Sequence, residues 1–467
     1  MGKVLLIRPR FGKFLQPNPP IGLGYLAAVL ENKGHKVIII DCQTNRATNK
    51  DVVNYIQKIK PNLIGISALS SHYQSMMSLS NLIKKDNKIN KIPLVLGGIH
   101  VSSLPEYSLK ECKADFLVIG EGELTIIELI NCIEKNGDLS KIDGLVYWED
   151  GKVKRNKERE LIENLDSIPF PAWHLMPLKN YPKDPEGHEY LRYPFAPILT
   201  SRGCPFGCTY CASTNFWKRR IRLRSPKNVV DEIEYLVNNY GVKEIHIWDD
   251  NFTLIKKHII GICNEIIKRG LDITIKCPNG IRIDSLTPEV LYKLRKAGLY
   301  QMALAVESGN QKILNHVNKQ LDLKKVLKII EIVKKFKIMT RGFFMIGLPT
   351  DTIETIHDTI RFALNKNFDF ASFFIAQPLP GSKIFYDWIQ NKDLSKIKYD
   401  MEYWTDHRIS QINPKKLRKL HLLAYQKFYF RFRFLKTLVN YPKIVFNWAK
   451  NVMNRMIKRI LGKFFEL

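Results

Sequence analysis

The chain has 467 residues, 45% of them hydrophobic and 25% charged, with a formal net charge of +28. That length and apolar share exclude a disordered or fibrous chain and predict more than one packed domain. No uninterrupted apolar run reaches the roughly 18 residues of a membrane helix, and the start, MGKVLLIRPRF, lacks the pattern of a secretory signal.

Residues 1–143 alternate short apolar runs with helical patterns. KVLLIRP (3–9), KVIIID (36–41), PNLIGISALS (61–70), IPLVLGG (92–98) and ADFLVIGEGE (114–123) read as strands, and GYLAAVLENKGH reads as a helix stopping at Gly34. Such alternation predicts an α/β fold with a doubly wound, Rossmann-like parallel sheet, whose ligands bind at the carboxyl ends of the strands. GLVYWEDGKVKRN (144–156) predicts a hairpin, and 144–196 as a whole reads as a linker dense in Pro and aromatics. A second alternating series fills 197–390, with strands expected at 197–201, 243–251, 272–280, 301–309, 341–349 and 369–381. Six β/α units predict a partial barrel with its active site at the carboxyl strand ends. Asp249, Asp250, Asn251, Glu307, Ser308, Gly309 and Gly347 fall there, although tight turns alone also favour Gly and Asp.

The remainder, 391–467, reads as a basic helical region. From Gln411 to Leu467 nine lysines and five arginines accompany one acid, Glu466. Such a tail suits a helical cap, an anionic membrane surface or nucleic acid. Lys, Ile and Asn are frequent throughout, so part of the charge is compositional.

Eight cysteines without a regular framework point to a reducing cytoplasm. Three are crowded into one loop, Cys204, Cys208 and Cys211 in TSRGCPFGCTYCAST. Thiolates bind soft metals, so the loop is a candidate metal site. Zinc needs a fourth ligand to close its tetrahedron, whereas an iron–sulfur cluster can take three thiolates and leave one iron open for another ligand.

The spacing C-x3-C-x2-C, with an aromatic before the last Cys and a barrel strand before the loop, resembles the radical S-adenosylmethionine (SAM) superfamily. The resemblance implies a [4Fe-4S] cluster on Cys204, Cys208 and Cys211, with SAM on the open iron. It places Tyr210 against the adenine, offers Asp249, Asp250 and Asn251 for the methionine end, and puts Glu307 and Ser308 on the ribose side. WDDN replaces the usual Gly-Gly-Glu, and Thr350-Asp351 replaces a usual Gly-Glu after the fifth strand. A salt-bridged strand-end acid is the plainer reading of Glu307. NPPIGLGYLAAVLENKGHKVIIID, LVLGGIHVSSLPE, DFLVIGEGE and SIPFPAWHL resemble the cobalamin-binding subclass, and the likeness runs from about residue 3 to 390. It implies that 1–143 seats cobalamin on a flat apolar surface, with Ser67, Ser70, Gly97, Gly98, Gly120 and Gly122 letting the backbone approach the corrin. The Asp-x-His-x-x-G motif that ligates cobalt elsewhere is absent, which leaves His72 and His100 as the imidazoles near that face.

These cofactors imply reductive cleavage of SAM to an adenosyl radical, hydrogen abstraction, and methylation of an unactivated carbon. Cyclisation or rearrangement by the same family is an alternative, and so is a non-catalytic corrinoid- and cluster-binding sensor or assembly protein. Expected partners are a small-molecule or lipid substrate, an electron donor such as flavodoxin or ferredoxin, and a peripheral membrane contact through 414–467. Nucleic acid is disfavoured, because no appended RNA-binding domain is recognisable. Cys277 is a candidate catalytic thiol, with a buried free thiol the plainer reading.

Overall fold

In a computed structural model, residues 2–10, 18–181, 190–390, 392–397, 409–442, 444–446 and 449 are described. Residues 11–17, part of the linker (182–189) and the end of the tail (450–467) lie outside them. The chain divides into two compact units: Met1–Pro182 with Asn215–Lys218 and Leu379–Thr405, and Lys183–Thr214 with Arg219–Pro378 and Asp406–Leu467.

In the first unit the apolar runs become β1 (Lys3–Arg8), β2 (Lys36–Asp41), β3 (Leu63–Ser67), β4 (Leu94–Gly97) and β5 (Phe116–Val118). Their Val, Ile and Leu side chains are buried, apart from half-buried Ile38 and Ile39 on the outer strand β2, because helices α1 (Ile21–Glu31), α2 (Asn49–Ile59), α3 (Tyr73–Lys85), α4 (Ile99–Ser103), α5 (Pro105–Cys112) and α6 (Glu123–Lys135) supply the layers of a parallel sheet. The strand order is β2-β1-β3-β4-β5, extended by the antiparallel hairpin β6 (Leu145–Glu149) and β7 (Lys152–Arg155). The hairpin expected within a linker therefore completes the first sheet, and its charged outer strand, KVKR, blunts the sheet edge. The described linker also packs here. Ala172 N donates to Gly24 O at 3.0 Å, and Trp173 is buried.

In the second unit β8 (Phe195–Ile198) is followed by a short antiparallel ribbon, β9 (Ser201–Arg202) with β10 (Arg222–Leu223). α7 (Ser213–Phe216) lies between the two strands of that ribbon in sequence. Then come α8 (Pro226–Tyr240), β11 (Glu244–Ile247), α9 (Lys256–Lys268), β12 (Thr274–Ile281), α10 (Pro288–Lys296), β13 (Leu299–Glu307), α11 (Gln311–His316), α12 (Leu323–Lys335), β14 (Met339–Ile346), α13 (Ile353–Asn365) and β15 (Phe370–Ile375). Six parallel strands run in the order β15-β14-β13-β12-β11-β8, an open partial barrel. α14 (Lys383–Ile389) returns to the first unit, and the tail supplies α15 (Pro414–Tyr429) and α16 (Phe432–Asn440).

An open barrel leaves β15 with an unpaired edge, and α15 closes it with side chains. Tyr429 Oη accepts from Ala371 N (3.3 Å) and donates to Ala371 O (2.8 Å). Tyr425 Oη does the same at Phe373 (3.1 and 3.2 Å), and His421 Nε2 donates to Phe373 O at 2.8 Å. Four helical residues advance about 6 Å and two strand residues about 6.6 Å, so tyrosines four apart meet alternate strand residues. Arg431, stacked 3.8 Å over Phe428, donates to Ala363 O, Leu364 O and Phe368 O at the end of α13. Replacing Tyr425 and Tyr429 together by Phe should cost about 2–3 kcal/mol, since Ala371 N, Ala371 O and Phe373 N lose their partners while Phe373 O keeps His421. Urea unfolding of the full chain measures it.

Candidate active site

The cysteine loop leaves β8 and is held by the two acids that follow β11. Asp249 is buried, and its carboxylate accepts from Thr200 N (2.6 Å), Thr200 Oγ1 (2.5 Å) and Ser201 Oγ (2.6 Å). Burial pushes its carboxyl up to about 6 against the pull of those donors. Asp250 accepts from Gly203 N (3.1 Å) and Ser213 Oγ (2.7 Å), one on each side of the three cysteines. Gly203 sits at φ +93°, a conformation open to glycine at little cost. Asn251 Nδ2 points to Cys204 Sγ at 3.9 Å, and its buried Oδ1 has no protein partner among the described residues.

The segment after α11 holds the other side of the loop. Val317 O accepts from Thr209 N at 3.0 Å, and Asn318 Nδ2 donates to Gly207 O at 3.0 Å. The Arg282 guanidinium lies 3.6 Å over the Phe206 ring and donates to Lys319 O and Gln320 O. These residues carried no sequence signal: Val317, Lys319 and Gln320 act through backbone carbonyls, and Asn318 and Arg282 stand outside any motif.

Cys204, Cys208 and Cys211 are half-buried free thiols, and burial raises Cys204 and Cys211, with Asp250 adding to the effect. No three His, Cys, Asp or Glu side chains among the described residues converge on a single-ion site. Thiols spread along one clamped loop fit a cluster, where each binds a separate iron.

Tyr210 packs against Ile313, Val317, Leu348 and Ala376, and its hydroxyl lies within the electrostatic reach of Glu307, Cys208 and Cys211. Glu307, which ends β13, has φ +69°, an uncommon strained value of the kind that clusters at functional sites. It is ion-paired to Lys319 at 3.3 Å, as the plainer reading anticipates. Ser308 Oγ meets Thr359 Oγ1 at 3.1 Å and accepts from Asn310 N. Asp351 closes its own turn, accepting from Gly347 N and Leu348 N. Cys277 is buried in β12, and burial holds its thiol protonated.

In the first unit Ser67, Ser70, Gly97, Gly98, Gly120 and Gly122 stand half-buried at or just beyond the carboxyl ends of β3, β4 and β5, beside Leu69, which is 55% exposed. Gly98, at φ +105°, is demanded by the protein itself: an added Cβ would lie 2.4 Å from Ala68 O. At Gly97 a Cβ would meet only Val118 O at 3.9 Å, and at Gly120 nothing. An apolar side chain among small residues over open space fits a flat hydrophobic cofactor. His100 is fully buried, stacked 3.9 Å from Tyr73 with Nδ1 at 3.1 Å from Ser70 Oγ, and burial pulls it down to about 3. His72 is buried too and pulled down to about 4 by burial, with Arg8 adding.

Two outcomes follow from this geometry. Asp250→Ala should lower iron bound after anaerobic reconstitution by about half or more, because both ends of the loop lose a charge-assisted hydrogen bond; iron quantitation reads it. His100 is neutral in the fold, so its contribution to stability is full above about pH 6.5 and declines as pH falls below that, where the unfolded chain takes up the proton. The urea midpoint should therefore fall between pH 7 and pH 5, and His100→Phe should flatten that fall.

Residues 7–130 match the B12-binding domain family, and residues 198–363 match the radical SAM superfamily. An uncharacterised methyltransferase of Pyrococcus horikoshii is 32% identical, with 99% of each chain covered. The anaerobic magnesium-protoporphyrin IX monomethyl ester cyclase of Rubrivivax gelatinosus is 33% identical, over 82% of this chain and 70% of the relative. The radical SAM methyltransferase TsrM of Kitasatospora setae shares the fold, with a TM-score of 0.70 at 19% identity over 84% of this chain and 77% of its own. Two domain matches in one chain, with a full-length relative, show that the chain belongs to the cobalamin-binding branch of the radical SAM superfamily, enzymes that use a [4Fe-4S] cluster, SAM and cobalamin.

Proposed function

We propose that the chain methylates an unactivated carbon of a small-molecule or lipid substrate. The observation that carries this reading is the full-length match to a methyltransferase, which spans both the cobalamin seat and the cysteine loop. When bound, the cofactors supply a carbon-centred radical and a methyl group; the protein supplies position and exclusion of water.

In this reading Cys204, Cys208 and Cys211 hold the cluster. Tyr210, Asn251, Glu307 and Ser308 line the SAM side, and Asn251 has a buried carbonyl oxygen to offer a donor such as an amino group. Asp249 and Asp250 act from behind, by holding the loop. Ser67, Ser70, Leu69, Gly97 and Gly120 seat the corrin. His100 is read as a core residue, its ring stacked on Tyr73 and its Nδ1 beside Ser70 Oγ. A flavodoxin or ferredoxin is the electron donor, and the tail makes a peripheral membrane contact within 414–467.

Cyclisation is the second reading, favoured by the likeness to the Rubrivivax cyclase. Anaerobic turnover with methyl-labelled SAM, using the reconstituted full chain and a candidate substrate extract, separates them. Methyl transfer predicts label in an extracted product together with S-adenosylhomocysteine and 5′-deoxyadenosine. 5′-Deoxyadenosine with no labelled product favours cyclisation, and neither product overturns both.

A further inference from the structure

α16 breaks the usual pattern of a surface helix, which turns one apolar face to the core and a polar one to water. Phe434 and Thr437 are its buried residues, and Phe434 packs edge-on against Phe370. At about 100° per residue the opposite pole carries Phe432, Leu435 and Val439, spaced i, i+3, i+7. That pole is apolar and exposed. Phe432 is 91% exposed and Val439 78%, with Phe430 at 88% in the preceding turn and Phe446 at 69% beyond the helix. α15, in contrast, turns Lys415, Lys419 and Gln426 to solvent in the ordinary way. Phe430 and Phe432, 88% and 91% exposed, are the most exposed large apolar side chains among the described residues, although Leu422 on α15 is also 58% exposed.

The surrounding charge identifies what covers them. From Pro414 to Phe446 the sequence has nine Lys or Arg and no Asp or Glu. Arg433 and Lys436 are exposed on α16, and Lys427 is exposed near the end of α15. Apolar side chains with a basic margin, no acid, and a helix too short and charged to span match a surface lying in the interface of an anionic bilayer. No helix among the described residues is long and apolar enough to cross a membrane.

We propose that Phe430, Phe432, Leu435 and Val439 insert into the headgroup region of an anionic membrane, with Arg433 and Lys436 on its phosphates. This deepens the peripheral-contact part of the function proposed above, rests on it, and does not depend on which reaction is catalysed.

The test is flotation of the full-length holoenzyme with phosphatidylcholine vesicles, with and without phosphatidylglycerol. Binding should be about tenfold stronger with phosphatidylglycerol and weaken as salt rises. Phe432→Ser with Val439→Ser should cut it about tenfold, since the inserted apolar area is lost. These side chains face solvent, so thermal melting of that variant should match the wild type. Arg433→Glu with Lys436→Glu changes charge alone and should abolish the preference for phosphatidylglycerol. Binding to neither vesicle overturns the proposal, as does equal binding by the wild type and both variants. A dimer in light scattering that the serine variant loses, without vesicle binding by the wild type, overturns it in favour of a second copy of the chain. Labelled-methyl transfer is read separately, so failure of either reading is visible without the other.

Discussion

Two neighbouring carboxylates decide whether the cysteine loop has a shape. An eight-residue span bearing three thiols, Cys204 to Cys211, has no helix or strand of its own to hold it, and loop backbone is entropically free unless its ends are tied. Asp249 ties the approach to the loop at Thr200 and Ser201, and Asp250 ties Gly203 to Ser213 across it. Burying Asp249 is costly for a charged group, and the three donors that converge on it offset that cost. Thiols already held near one another lose less freedom when a cluster binds, so these hydrogen bonds favour cluster binding.

The parallel strands were legible because Val, Ile and Leu runs between helix-length segments have few other ways to bury themselves. The place of the second-strand acids was legible from the barrel register, but their direction was not. WDDN sits where a cofactor contact is expected, and only the neighbouring Thr200, Ser201 and Gly203 show that its two carboxylates turn to the loop. The adjacent glycines after β4 divide in the same way. Gly98 answers to the Ala68 carbonyl, and Gly97 is left with open space, a distinction that no sequence pattern carries. The hairpin was visible as a hairpin, but which sheet it joins depends on β5 having a free edge.

His100 illustrates why a polar residue near a strand end is weak evidence for ligation. The same imidazole that suits a metal also stacks on a tyrosine, and here it stacks on Tyr73 in the core. Glu307 is the opposite case. An ion pair would account for its charge, but not for a left-handed backbone at a non-glycine residue, and that strain marks the end of β13 as built for position.

The tyrosine ladder of α15 has a consequence for how the chain can be divided. The barrel's last strand receives its lateral hydrogen bonds from phenols and an imidazole belonging to the tail, so the two cannot be separated cleanly. A chain shortened ahead of Asn413 would present the bare N–H and C=O groups of Ala371 and Phe373, an adhesive edge open to any passing strand. The barrel's claim on the tail also runs past this ladder, since Phe434, Ile444 and Val445 are buried with Tyr300, Met339 and Phe370, so the part that cannot be removed extends at least to Val445.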